Sequence, residues 1–181
     1  GIDWYGNNGF VYGVLPKATS GSIHRKNESR STQWRQLSKS NRNAVETQQS
    51  MFSLWIDHGR EVKNGTYAYF VACDGRIPEQ LPVILSNTAG LQALEWKGTV
   101  LALFYDAGTQ VNTSMGKLSV SAPCALILKR EDGSVSVTAA DGLMNRNLGR
   151  LDISLGAKQF SLSLPSGEAL GKAVTRKFLF E

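Results

Sequence analysis

Apolar residues in this chain alternate with polar ones over short runs of about five to nine, and Gly, Asn, Asp or Pro fills the gaps between runs. A period of two is the pattern of half-buried antiparallel strands, and few stretches carry the spacing of an amphipathic helix. An all-β fold of antiparallel β-sandwiches is the expectation. Phe10, Tyr12 and Val14 alternate with Val11 and Gly13 in a first strand. The Ser-, Arg- and Asn-rich stretch from Thr19 to Asn43 has no comparable rhythm and reads as a long loop, with at most one strand near Trp34 and Leu37.

Phe52, Leu54 and Ile56 alternate with Met51, Ser53 and Trp55 in a second strand that ends in Asp57-His58-Gly59. Tyr67, Tyr69, Val71 and Cys73 then alternate with Ala68, Phe70 and Ala72. Apolar residues at both parities suggest a central strand covered on both faces, and residues 51–73 read as a hairpin. Pro78 and Pro82 interrupt regular pairing and place a domain boundary near residues 78–82. Two domains follow, residues 1–78 and 83–181. In the second, strands are expected around Val83–Leu85, Gln92–Trp96, Val100–Tyr105, Lys117–Ser121 and Cys124–Arg130. Asp132-Gly133 marks a tight reversal into Val135–Thr138, because glycine readily takes the positive φ of such turns. Alternation at Leu151–Leu155, Phe160–Leu164 and Val174–Phe180 supplies three more strands of a sandwich.

The 181 residues are 41% hydrophobic and 19% charged, which is globular composition with no apolar run long enough to span a bilayer as a helix. The first residue is Gly1, and no signal peptide is evident, so the natural start is expected to be missing or removed. The net charge of +5 is local in origin. Residues 16–44 hold Lys17, Arg25, Lys26, Arg30, Arg35, Lys39 and Arg42 against Glu28 alone, a net +6, and the remaining 13 basic and 14 acidic residues leave −1. Such a segment is either a solvated loop or a contact for an anionic polymer. Only Trp34 is interleaved with these charges, which favours an anionic polysaccharide over nucleic acid.

Cys73 and Cys124 lie in apolar stretches and read as buried free thiols, with no zinc spacing, and His24 and His58 stand far apart. No metal or other cofactor is implied. Phosphate loops, nucleophile elbows and zinc-protease motifs do not occur, and His58 reads as part of a turn. Sugar rings can stack on indoles and phenols, yet burial is the expectation for Trp4, Tyr5, Trp55 and Trp96. Trp34, beside Arg30, Gln33, Arg35 and Gln36, is the best candidate for ligand contact. Arg30, Trp34, Arg35 and Arg42 form the candidate substrate-binding set. The sequons at Asn27, Asn64 and Asn112 suggest surface turns.

Leu54-Trp55-Ile56-Asp57-His58-Gly59, Tyr67-Ala68-Tyr69, Leu85-Ser86-Asn87 and Leu91-Gln92-Ala93 together resemble polysaccharide lyase family 8. Asn8-Gly9-Phe10-Val11-Tyr12 and Gln33-Trp34 extend the similarity upstream. In that family a helical toroid precedes a central β-supersandwich and a smaller C-terminal β-sandwich. The resemblance implies that residues 1–78 end the supersandwich and that residues 83–181 form the C-terminal sandwich. It further implies a secreted or periplasmic bacterial enzyme that cleaves uronic-acid polysaccharides, of the chondroitin or hyaluronan type, by β-elimination.

The family's catalytic asparagine, histidine, tyrosine and arginine belong to the toroid, so the resemblance assigns no catalytic residue here. His58 matches its Asp-His-Gly segment, and Tyr67 and Tyr69 match strand positions. Cys73-Asp74-Gly75 departs from a Leu-Pro strand ending. The implied partners are an anionic polysaccharide and the helical toroid of the same lyase, and the chain alone is expected to be inactive. The alternative is a stand-alone carbohydrate-binding or adhesion sandwich.

Overall fold

The computed structural model describes residues 2–42 and 44–180; the ends of the chain and Asn43, the last residue of the expected loop, lie outside them. The chain divides into two compact units, Gly1–Ile77 and Pro78–Glu181.

The first unit holds a three-stranded sheet and a two-stranded ribbon. In the sheet, β1 (Asp3–Asn7) pairs with β2 (Phe10–Val14), and β2 pairs with β5 (Tyr69–Ala72). Asn8 and Gly9 close the β1–β2 hairpin with φ of 46° and 81°, the left-handed pair that suits a two-residue turn between twisted strands. β1 was not expected, although Asn8-Gly9 is itself a hairpin signal. The ribbon joins β3 (Ser22–Gln33) to β4 (Glu46–Asp57) in unbroken antiparallel register from Ser22↔Asp57 to Gln33↔Glu46.

This pairing corrects three expectations. Residues 19–43 are not one long loop, because twelve of them form β3. Trp34–Leu37 is a single helical turn, not a strand. Residues 51–73 are not a hairpin, since β4 pairs with β3 and β5 pairs with β2. The physical reason lies in the ladder. Backbone N–H and C=O groups of a ribbon pair whatever the side chains are, so a strand such as β3, with no buried residue on either face, needs no apolar alternation. β5 is also an edge strand, with Tyr69 exposed at 58% and Val71 at 40%. It is therefore not covered on both faces. Val11 and Val14 are the buried hydrophobics of this unit among the described residues.

The second unit is a two-sheet sandwich. One sheet runs in the order β15-β12-β11-β8-β7-β6 and the other in the order β14-β13-β10-β9. The strands are β6 (Val83–Asn87), β7 (Leu91–Trp96), β8 (Thr99–Phe104), β9 (Gln110–Thr113), β10 (Gly116–Val120), β11 (Cys124–Glu131), β12 (Ser134–Ala140), β13 (Arg150–Leu155), β14 (Lys158–Ser163) and β15 (Val174–Leu179). Alternate residues from both sheets share one core, among them Val100, Leu126, Leu128, Val135 and Val137 facing Leu118, Leu151, Ile153 and Leu155, all fully buried or nearly so. Gly133, with φ of 62°, turns β11 into β12, and Lys97-Gly98 makes a left-handed pair between β7 and β8. β9, only four residues long, carried too little alternation to be anticipated.

Cys124 is buried in this core and Cys73 is exposed, so only one of the two expected buried thiols is found. Burial, with the nearby Asp141 charge, pushes the Cys124 thiol up to about 12. Asn27 and Asn112 stand inside β3 and β9, so neither marks a turn, whereas Asn64 takes a left-handed φ of 60° in a connecting segment.

Candidate functional site

The four expected binding residues cluster toward one end of the ribbon. Arg30 lies on β3, Trp34 and Arg35 belong to the helical turn that follows Gln33, and Arg42 lies in the remaining connection to β4. All four are exposed, Trp34 at 47%. Arg35 donates from Nε to Gln33 Oε1 at 2.6 Å, and the Thr32 hydroxyl donates to Gln36 Oε1 at 3.3 Å. These bonds tie the turn to the strand end.

The register divides the ribbon into two faces. On one, Ile23, Arg25 and Asn27 stand opposite Ile56, Leu54 and Phe52. On this face Phe52 approaches Tyr12 of the three-stranded sheet, with ring centroids 5.9 Å apart, while Arg25 and Asn27 stay exposed. On the other, His24, Lys26, Glu28 and Arg30 stand opposite Trp55, Ser53, Met51 and Gln49. Trp55 is 45% exposed and Met51 43%, so the expectation of burial fails for Trp55, as it does for Trp96 at 41%. His24 stacks on Trp55 with centroids 5.4 Å apart and planes 17° from parallel.

Glu28 organises the charge on that face. Its carboxylate receives Lys26 Nζ on one oxygen and Arg30 Nη2 on the other, each at 2.5 Å, and Arg30 Nε donates to it at 2.7 Å. Hydrogen bonds from Lys26 and then Arg30 hold the Glu28 carboxyl below the usual carboxylate range. Two cations are thus fixed against the strand while keeping most of their own surface in water.

His58 sits where β4 leaves the ribbon. Asp57 Oδ1 accepts the Gly59 N–H at 2.8 Å, and His58 Nδ1 lies 3.3 Å from Ser20 Oγ, which closes a turn. Among the described residues no three His, Cys, Asp or Glu side chains gather as a metal site, and no helix is long and apolar enough to cross a membrane.

Residues 2–77 match the super-sandwich domain of polysaccharide lyase family 8, and residues 83–147 match the C-terminal β-sandwich domain of the same family. The chain belongs to polysaccharide lyase family 8. Within this family it is 31% identical over 140 residues to the chondroitinase-AC of Pedobacter heparinus. That alignment takes in 70% of this chain and 20% of the relative, so the chain spans about a fifth of that enzyme's length. A chondroitinase AC lyase solved as enzyme–oligosaccharide complexes shares the fold over 96% of this chain, with TM-score 0.80 and 24% identity. This chain covers 27% of that structure. The Streptomyces coelicolor A3 chondroitin AC lyase, solved with chondroitin sulphate, shares it over the whole chain at TM-score 0.68 and 14% identity, again over 27% of its own length. A Paenibacillus xanthan lyase gives TM-score 0.69 at 14% identity, with 21% of its length covered. The family-8 chain described here thus combines matches to the super-sandwich and C-terminal sandwich domains with sequence similarity to a chondroitinase-AC.

Proposed function

We propose that this chain is the substrate-supporting β portion of a lyase that cleaves a chondroitin-type, uronic-acid polysaccharide by β-elimination. The observation that carries the reading is the consecutive match to the super-sandwich and C-terminal sandwich domains, together with 31% identity to a chondroitinase-AC. In such a reaction a base takes the C5 proton, its electron pair forms the C4=C5 bond, and the C4–O bond breaks onto an oxygen that picks up a proton. The groups that do this work lie outside these residues, in a helical domain of the same lyase. The task of this chain is to hold the polymer, through Arg30, Trp34, Arg35 and Arg42 at the ribbon end. Arginine forks pair well with carboxylate and sulfate. A polymeric substrate also favours secretion or a periplasmic location.

The test incubates the purified chain with chondroitin sulfate, hyaluronan and xanthan, following the ultraviolet absorbance of the unsaturated uronate beside a binding assay. Binding of chondroitin sulfate without product is expected, and replacing Arg30, Arg35 and Arg42 together should weaken it. Product formation would overturn the placement of the catalytic groups, and absence of binding would overturn the substrate-holding role.

A further inference from the structure

The open face of the β3–β4 ribbon carries more than the four residues at its end. Read along the register, it presents His24 with Trp55, then Lys26 with Ser53, Glu28 with Met51, and Arg30 with Gln49, before the turn at Trp34 and Arg35. At about 3.3 Å per residue, His24 and Arg30 stand roughly 20 Å apart along one strand, a length suited to a short oligosaccharide and too long for a single sugar. The row begins in stacked aromatic rings and continues in cations.

We propose that this face is an extended track for a sulfated uronate polysaccharide, in which the Trp55–His24 pair is a sugar-stacking ledge and Lys26 and Arg30 pair with the anionic groups that follow. The inference rests on the substrate-holding reading above and names the surface that does the holding. Three features argue for a polysaccharide. A half-exposed indole combines apolar area with a polar edge, the combination that fits the C–H face and hydroxyl rim of a pyranose. The cations lie on the same face as that indole, and Arg25 lies on the opposite one, so charge and ring are presented to one ligand. The ribbon with its connection, residues 22–57, holds six basic residues against Glu28, Glu46 and Asp57, a net +3 that complements a polyanion. Single-stranded nucleic acid would call for several stacking rings interleaved with the cations, whereas on this track rings stand at the two ends, Trp55 with His24 and Trp34, with none between them.

Trp55 and Lys26 are exposed, and removing either leaves the ladder of backbone pairs intact. The test measures binding of a size-defined chondroitin sulfate oligosaccharide to the 181-residue chain by calorimetry, for the parent and for Trp55→Ala, Trp55→Phe, Lys26→Gln and, as a control in the other unit, Tyr105→Ala. Circular dichroism and thermal unfolding accompany each variant. The expected result is a loss of about five-fold or more for Trp55→Ala, recovery of most of that loss in Trp55→Phe, and a shallower salt dependence for Lys26→Gln, with Tyr105→Ala unchanged. If the parent binds and Trp55→Ala binds equally well, the track is wrong while the substrate-holding role stands. If the parent does not bind, the role itself fails and the track with it. Trp55-dependent binding of oligo(dT) as tight as that of the oligosaccharide would overturn the choice of ligand.

Discussion

Phe70 lies across Gly13. The two residues are paired between β5 and β2, and a Cβ on Gly13 would run into the Phe70 ring. Trp4 pairs with Gly13 from the other side, and its ring meets Phe70 edge-on, with centroids 5.1 Å apart and planes at 76°. The glycine is the gap through which aromatic rings from two non-adjacent strands touch, a cross-strand rescue of a residue that has no side chain to pack.

Gly13→Ala therefore destabilises the first unit by about 1–3 kcal/mol, the usual cost of adding a methyl to a filled site. Urea unfolding measures the loss. The near-ultraviolet circular dichroism of Trp4 should change with it, since the edge contact depends on where Phe70 rests.

Glu28→Gln acts in the opposite sense on binding. It removes a negative charge between Lys26 and Arg30 and leaves the face more cationic, so affinity for a polyanion should rise by about 1.5- to 5-fold. The parent should show the same gain as pH falls. Because the folded-state value of Glu28 is depressed, its pairing is complete above the ordinary carboxylate value and is lost as pH falls through the lowered one. Dextran sulfate, whose charge does not titrate in this range, is the suitable probe. An acid-side rise in its affinity should be smaller in the Gln variant.

The two thiols should differ sharply in reactivity. Cys124 is 5% exposed with its thiol pushed up to about 12, while Cys73 is exposed. One equivalent of a disulfide reagent should react at pH 8 in the native protein and two after denaturation. Fast reaction of both in the native state would contradict the packing of β11.

Leu128→Ala tests the sandwich core. Leu128 is fully buried, so the substitution should cost about 2–5 kcal/mol. Thermal unfolding followed by intrinsic fluorescence should show the loss, with binding of chondroitin sulfate at 25 °C little changed.

The second unit was far more legible in sequence than the first, for a physical reason. Where a strand has one face in a core, the alternation must be written into the residues. Leu151, Ile153 and Leu155 point inward and are fully buried, so the period was visible. β3 has no such face along most of its length. His24 to Gln33 contains no large hydrophobic residue, so its pattern is that of a loop and only the pairing with β4 makes it a strand. The same gap hid part of the candidate site. Arg30, Trp34, Arg35 and Arg42 stood out by charge and composition, but Trp55 and His24 are 31 positions apart in sequence and meet only through the register. The expected hairpin of residues 51–73 fails because β4 and β5, consecutive along the chain, pair with β3 and β2 and not with each other.

The ribbon owes its order almost wholly to backbone pairing. Two strands with few buried side chains and, among the described residues, no third strand on either edge make a marginal unit in water. Amide protons near Arg30 and Gln49 will accordingly exchange with solvent far sooner than those of Leu128 and Val137, through local opening that leaves the sandwich closed. If the proposed track is occupied, a polymer lying along it should slow that exchange and become part of what keeps the two strands in register.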